Sequence, residues 1–173
     1  MLGIINASPL IYLGKIGALS LLPKLFTECY TTKNVKKEVL SEDNVPEFSV
    51  LKESFSSWLS LKEPTNQQLV DRLKELNIHT GEASLIALGK ELQDNSDESV
   101  VIIVDLEARE IARTIDLKVT GTVGILIRSL ILKFITVKKC KNFLHMLVEN
   151  TTFRISSALF SKILKEIEKI NDN

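Results

Sequence analysis

Apolar and polar positions along this chain alternate between two rhythms. Short unbroken apolar runs read as buried strands: "LGII" (2–5), "CYTT" (29–32) and above all "ESVVIIVD" (98–105), whose β-branched residues run into an acid. Between them apolar residues recur every three or four positions, the period of a helix packed on one face. From Pro9 to Phe26 the positions are Leu10, Leu13, Ile16, Leu19 and Leu22, weakened by Gly14 and Gly17, which predicts one helix or two short ones. Ser8 and Pro9 suit an N-cap followed by proline at the first helical position. Val35, Val39 and Leu40 predict a helix after "CYTT". Residues 41–64 are the least regular and predict a short helix or strands. An amphipathic helix is expected over 66–76, then a loop closed by Thr80–Gly81 and a helix bearing Leu85, Ile86, Leu88 and Leu92. "LEAREIARTIDL" predicts a helix, "KVTGTVG" a strand and turn, and "ILIRSLILKF" another helix. The C-terminal helix, about 156–170, aligns Leu159, Ile163, Ile167 and Ile170. Strand–helix alternation over residues 1–173 predicts one α/β domain, a parallel sheet with helices on both faces.

Charge narrows function only slightly. Lys plus Arg and Asp plus Glu are equal at 22 each in 173 residues, so net charge argues neither for nor against nucleic acid. Basic residues gather at Lys33, Lys36 and Lys37 and at Arg128, Lys133, Lys138, Lys139 and Lys141; acids gather at Glu91, Asp94, Asp97 and Glu98. Solvated faces account for each cluster. Two cysteines, Cys29 and Cys140, far apart, show neither a disulfide framework nor zinc-ligand spacing, and His79 and His145 form no metal-binding pair. Met1 leads straight into a strand and no long apolar stretch is free of charge, so the expectation is a cytoplasmic protein without signal peptide or membrane span.

The chemistry-bearing residues fall where open α/β sheets bind ligands, beyond the carboxyl ends of the strands. Asn6 and Asp105 close the first and the longest apolar runs, Glu38 follows the second, and Glu82 opens a later helix. Three carboxylates and an amide on one edge would hold magnesium or manganese, which take oxygen ligands, and could support phosphodiester cleavage. Each residue also has a plainer reading. Asn6 and Asp105 could be helix N-caps, Glu38 a solvated helix residue, and Glu82 an acid favoured by the helix dipole. Arg109 could pair with Glu82 or Asp105, or bind phosphate with both forks of its guanidinium. "GTVG" lacks the lysine and spacing of a phosphate-binding P-loop. Ser8 has no His or acid partner for a nucleophilic triad. Trp58 could stack a base or fill the core, and core is the expectation.

Taken together, "INASPLIYLGKIGALSLLPKLF", "TTKNVKKEVL", "TGEASLIALGKEL", "VIIVDLEAREIARTIDLKVTGTVGIL" and "FRISSALFSKIL" resemble PIN-domain proteins, nearest a VapC-like subgroup beginning N/D-x-S-P-L-I. The resemblance spans nearly the whole chain and is least clear over 41–70. It implies a three-layer α/β/α sandwich with a small parallel sheet and a Mg2+- or Mn2+-dependent ribonuclease of toxin–antitoxin type. It also implies RNA or DNA as substrate, an antitoxin partner, and a homodimer away from membranes. The family's four acid positions fall on Asn6, Glu38, Glu82 and Asp105, implied as catalytic residues and metal ligands. Ser8, the D-x-x-A-R arginine at Arg109 and Thr122 of G-T-x-G are implied to contact substrate.

Two positions depart from the family pattern. Asn6 stands where many active PIN nucleases have aspartate, removing one of four charges, and Val104 stands where subgroup members often carry a second aspartate. Both weaken the expected metal site. A catalytically weakened PIN fold that binds a partner protein or nucleic acid is therefore the second reading.

Overall fold

Five strands run parallel through the middle of the molecule: β1 (Leu2–Ile5), β2 (Glu28–Thr31), β3 (Leu59–Leu61), β4 (Ser99–Ile102) and β5 (Val119–Thr120), in the order β3-β2-β1-β4-β5. The computed structural model describes residues 1–95 and 98–171; Asp97 of the acidic cluster lies outside them. β1 pairs with β2 and β4 on its two sides, Leu2 standing opposite Glu28 and Ser99, so the first and longest apolar runs are neighbours as expected.

The helices are α1 (Ala7–Lys15), α2 (Leu22–Leu25), α3 (Lys33–Val39), α4 (Phe48–Ser57), α5 (Gln67–Glu75), α6 (Thr80–Asp94), α7 (Leu106–Thr114), α8 (Thr122–Ile131), α9 (Val137–Glu149) and α10 (Ser157–Asn171). Chain order steps outward from β1 to β3 on one side and from β4 to β5 on the other. Right-handed crossovers therefore place α1, α3 and α4 over one face, and α5, α6 and α7 over the other. α8 packs on α1 and α9, and α10 covers α8 and α9. The result is the three-layer sandwich the sequence predicts. Its core is the fully buried Ile4, Ile5 and Ile102 of the sheet, met by Leu10 and Leu13 of α1 and by Leu85, Ile86 and Leu88 of α6. Gly89 lets α6 lie close on the sheet, since a Cβ there would stand 2.6 Å from Val101 Cγ2.

Several local expectations need correction. α1 starts at Ala7, with Asn6 at the N-cap position, so Pro9 is the third helical residue. That site tolerates proline because the first four helical N–H groups lack intrahelical acceptors. α1 then stops at Gly17 (φ 68°), where Ala18 N–H donates to Leu13 O and Gly17 N–H to Gly14 O. This left-handed C-terminal turn, the Schellman motif, recurs at Asn77, Asp116 and Lys133, which end α5, α7 and α8. Thr80 and Gly81 belong to the first turn of α6 instead of a loop. The irregular 41–64 segment resolves into α4 and β3, and the half-buried Trp58 between them packs on the core. α9 falls outside the elements the sequence predicts, although Cys140, Phe143, Leu144 and Leu147 bury at helical spacing. On α10, Ile167 is buried but Leu159 is 49 % exposed, so the expected apolar face is only partly covered.

Candidate active site

Asn6 ends β1 and is 5 % exposed, yet its side chain does not cap α1. Instead Nδ2–H donates to Glu82 Oε1 at 3.3 Å, and Oδ1 has no partner among the described residues. The cap reading of Asn6 therefore fails in its side chain. Glu82 reaches this point because it lies in the first turn of α6, and α6 packs on β1 and β4. Its carboxyl is pushed above the ordinary glutamate value, first by burial and next by the Asp105 charge. Glu38 adds to the rise, while His79 and the Asn6 hydrogen bond oppose it.

Glu38 is exposed on α3, which Thr32 starts by accepting the Val35 N–H. A Cβ on Gly81 would lie 4.0 Å from Glu38 Oε2, which places that carboxylate against the opening of α6. Asp105 is exposed and does not end the strand. β4 stops at Ile102, though Ile103 N–H still donates to Thr120 O, and Asp105 is the N-cap of α7. Its Oδ1 accepts the Ala108 N–H at 2.9 Å, so its plainer reading is correct for one oxygen and leaves Oδ2 without a partner among the described residues. No Lys or Arg forms an ion pair with Glu38, Glu82 or Asp105 among the described residues.

The acids lie within electrostatic reach of one another but do not close up. Among the described residues no group of three or more His, Cys, Asp and Glu side chains is positioned to hold a metal ion. The donor chemistry nevertheless fits a hard divalent cation: the donors are all oxygen, and among the described residues Asn6 Oδ1 is unengaged and no Lys or Arg pairs with the acids. His79, exposed at the N-cap of α6, is a neighbour that opposes the rise in Glu82 and that the motifs do not mark; its place just before Thr80–Gly81–Glu82 is the available signal.

Arg109 and Thr122 line a common pocket at the start of α8. α8 opens at Thr122 behind Gly121, which provides no side-chain cap. A Cβ on Gly121 would lie 3.7 Å from Arg109 Nη1, so the guanidinium sits over the opening of α8. Arg109 pairs with neither Glu82 nor Asp105, and its Nε is buried without an acceptor among the described residues. Burial, and then Arg113, lower its pKa from the ordinary arginine value. Thr122 is 1 % exposed and its Oγ1 is likewise unpartnered. Ser8, half-buried at the second position of α1, makes no side-chain hydrogen bond among the described residues.

The family model DUF3368, described as a PIN domain, matches residues 2–169. The chain belongs to the PIN-domain family. PIN domains are nuclease-type folds that generally use divalent metal ions and act on nucleic acid, so the strand-end edge of this sheet is where such chemistry is sought. No curated protein matches the chain. Among the described residues no helix is long and apolar enough to cross a membrane. Of the basic residues from Arg128 to Lys141, Arg128 lies about 9 Å along α8 from Thr122, Lys133 follows the end of α8, and the others lie on α9. Within that set Lys141 pairs with Glu168, and Lys139 lies over the Phe143 ring.

Proposed function

We propose that this chain is a divalent-metal-dependent endoribonuclease of the PIN toxin type, cytoplasmic and homodimeric, held in check by an antitoxin. The observation that carries the reading is the Asn6–Glu82 contact beside the Asp105 and Glu38 charges, with no Lys or Arg ion-paired to them among the described residues. Glu38, Glu82 and Asp105, with Asn6 Oδ1 as a neutral fourth donor, would hold Mg2+ or Mn2+. That ion supplies Lewis acidity and charge neutralisation for phosphodiester hydrolysis.

The chain's own residues do the rest. Asn6 orients the Glu82 carboxylate by donating Nδ2–H to Oε1. Burial first, and the Asp105 and Glu38 charges with it, raise the proton affinity of Glu82, which suits it to take a proton. Arg109, Thr122 Oγ1 and the uncapped N–H groups opening α8 are suited to a phosphate oxygen. Ser8, at the second position of α1, is the remaining candidate for substrate contact.

The experiment is cleavage of a mixed RNA pool by purified protein with Mg2+, Mn2+ or chelator, set against Asp105→Asn. Asparagine keeps the α7 cap, so the variant removes charge without removing the helix start. Cleavage that needs metal and disappears in Asp105→Asn supports the nuclease. The second reading, a weakened PIN fold that works by binding, is favoured by Asn6 itself, which leaves three charges where four are usual. It predicts that only Asn6→Asp cuts.

A further inference from the structure

Among the described residues one buried hydroxyl donates across the sheet. Thr31, the last residue of β2, is 0 % exposed, and its Oγ1–H donates to Ile5 O at 2.7 Å. Other buried hydroxyls bond inside their own helices: Ser54 donates to Leu51 O and Ser129 to Ile125 O, each about one turn back. The β1–β2 pairing runs from Leu2 opposite Glu28 to Ile4 opposite Tyr30. Thr31 therefore adds, through its side chain, a link one residue beyond the last paired positions.

That link falls on the peptide just ahead of Asn6. Ile5 C=O and Asn6 N–H belong to one planar unit. Thr31 holds its oxygen from the β2 side, while Ile102 O accepts its N–H at 3.0 Å from the β4 side. Thr31 is anchored in turn by β3: it stands opposite Leu61, and its carbonyl accepts the Lys62 N–H at 2.9 Å. The Cα of Asn6 comes next along the chain, so the tilt of this peptide governs where the amide that reaches Glu82 points. A threonine suits that task, because branching at Cβ restricts χ1 and leaves the hydroxyl little freedom. Valine would fill the same space, favour a strand as well and bury no hydroxyl, so packing alone gives no reason for the oxygen. The next residue, Thr32, is also 0 % exposed and accepts the Val35 N–H to start α3, the helix that carries Glu38.

We propose that Thr31 is a positioning residue of the strand-end site. Its hydroxyl fixes the Ile5–Asn6 peptide, so that the Asn6 amide steers the Glu82 carboxylate and offers Oδ1 to the cation. The proposal rests on the divalent-cation reading above. Thr31 touches neither metal nor substrate and acts only through Asn6. Residues that orient the ligands of a metal site typically change its affinity about 10- to 100-fold when removed.

The test compares wild type with Thr31→Val, Thr31→Ser and the control Ser129→Ala, which discards a buried hydroxyl bond on α8. Mn2+ affinity is read from the free ion by electron paramagnetic resonance. The Asn6 side-chain amide is followed by heteronuclear NMR in chelator, its signal identified by its absence in Asn6→Asp. The expected result is Mn2+ affinity about tenfold or more weaker in Thr31→Val, and within about twofold of wild type in Thr31→Ser and Ser129→Ala. The Asn6 amide signal should be displaced in Thr31→Val and kept in the other two. Circular dichroism melts check folding, and Thr31→Ala replaces Thr31→Val if the valine variant does not fold. An unmoved Asn6 signal in Thr31→Val overturns the proposal, and so does unchanged affinity for an ion that wild type binds. Equal weakening by Thr31→Ser or by Ser129→Ala overturns it too, since the effect then belongs to packing or to stability. Wild type that binds no Mn2+ removes the cation reading. The amide signal, recorded without metal, then decides on Thr31 by itself: displaced by valine and kept by serine it upholds the positioning role, and unmoved it ends it.

Discussion

Asn6 and Glu82, 76 positions apart, are joined by a hydrogen bond from Asn6 Nδ2–H to Glu82 Oε1 at 3.3 Å. The contact ties the end of β1 to the first turn of α6 at the sheet edge where Asp105 also stands. It gives Asn6 a role that a helix cap would not. The amide shares in a site of negative charge, steering a carboxylate that its neighbours push toward protonation.

Replacing Asn6 by aspartate reverses that relation. The donor is lost, a fourth negative charge arrives, and Glu82 is driven further from its ordinary pKa. Asn6→Asp is expected to lower melting temperature in chelator and to recover it in millimolar Mn2+, because a cation offsets the added repulsion. Differential scanning calorimetry with and without Mn2+ measures both changes. A melting temperature independent of Mn2+ in the variant counts against the cation site.

Glu82 makes stability depend on pH in a defined direction. Its pKa is raised in the folded chain, so the folded state binds the proton more tightly than the unfolded state. Stability contributed by this group is present below the ordinary glutamate range and is lost as pH rises through the raised value. Glu82→Gln removes that loss. In chelator at neutral pH it should melt higher than wild type, on the order of 2 °C for a domain of this size. At acidic pH, with both states of wild type protonated, the difference should vanish. A neutral-pH melting temperature below that of wild type contradicts this account.

Thr122 separates binding from folding. Its hydroxyl is buried and has no hydrogen-bond partner among the described residues. Thr122→Val keeps the shape and discards an unsatisfied group, so stability should hold or rise by up to about 1 kcal/mol. Affinity for RNA should fall in the same variant. Urea denaturation alongside fluorescence anisotropy of labelled RNA tests the pair. A large loss of stability would show that the hydroxyl serves the fold instead of a phosphate.

Much of the sheet and of its edge was legible in the residues, and the gaps have physical causes. "ESVVIIVD" announced a central strand because a strand covered on both faces has no polar side to interrupt it. Its last three residues leave the strand because Asp105 caps α7. Pro9 misled, since proline fits the third helical position as well as the first. α9 carries its helical spacing openly, yet three lysines and an asparagine stand among its apolar positions and read first as charge. The acids' shared edge could be anticipated from strand ends. The Asn6–Glu82 hydrogen bond and the missing partner of Arg109 could not, because both depend on how α6 and α7 pack across long sequence separations. His79 stands in plain sight just before Thr80, but its spacing to His145 marks no motif.

Lys133 offers a test of the helix-end geometry that leaves the site alone. It holds φ at 59° where α8 ends, and a side chain costs about 1 kcal/mol in that conformation relative to glycine. Lys133→Gly should raise stability by about that amount, read from urea midpoints, and leave RNA cleavage unchanged. A destabilised variant would show that the lysine side chain contributes more than its backbone strain removes.

The most direct test of the account is Mn2+ binding followed by electron paramagnetic resonance of the free ion. Wild type, Asp105→Asn, Glu82→Gln and Asn6→Asp are titrated side by side. The account predicts one ion bound per wild-type chain, weaker binding in Asp105→Asn and in Glu82→Gln, and tighter binding in Asn6→Asp. An ion bound equally by all four proteins, or by none, would contradict a shared cation at the Asn6–Glu38–Glu82–Asp105 edge.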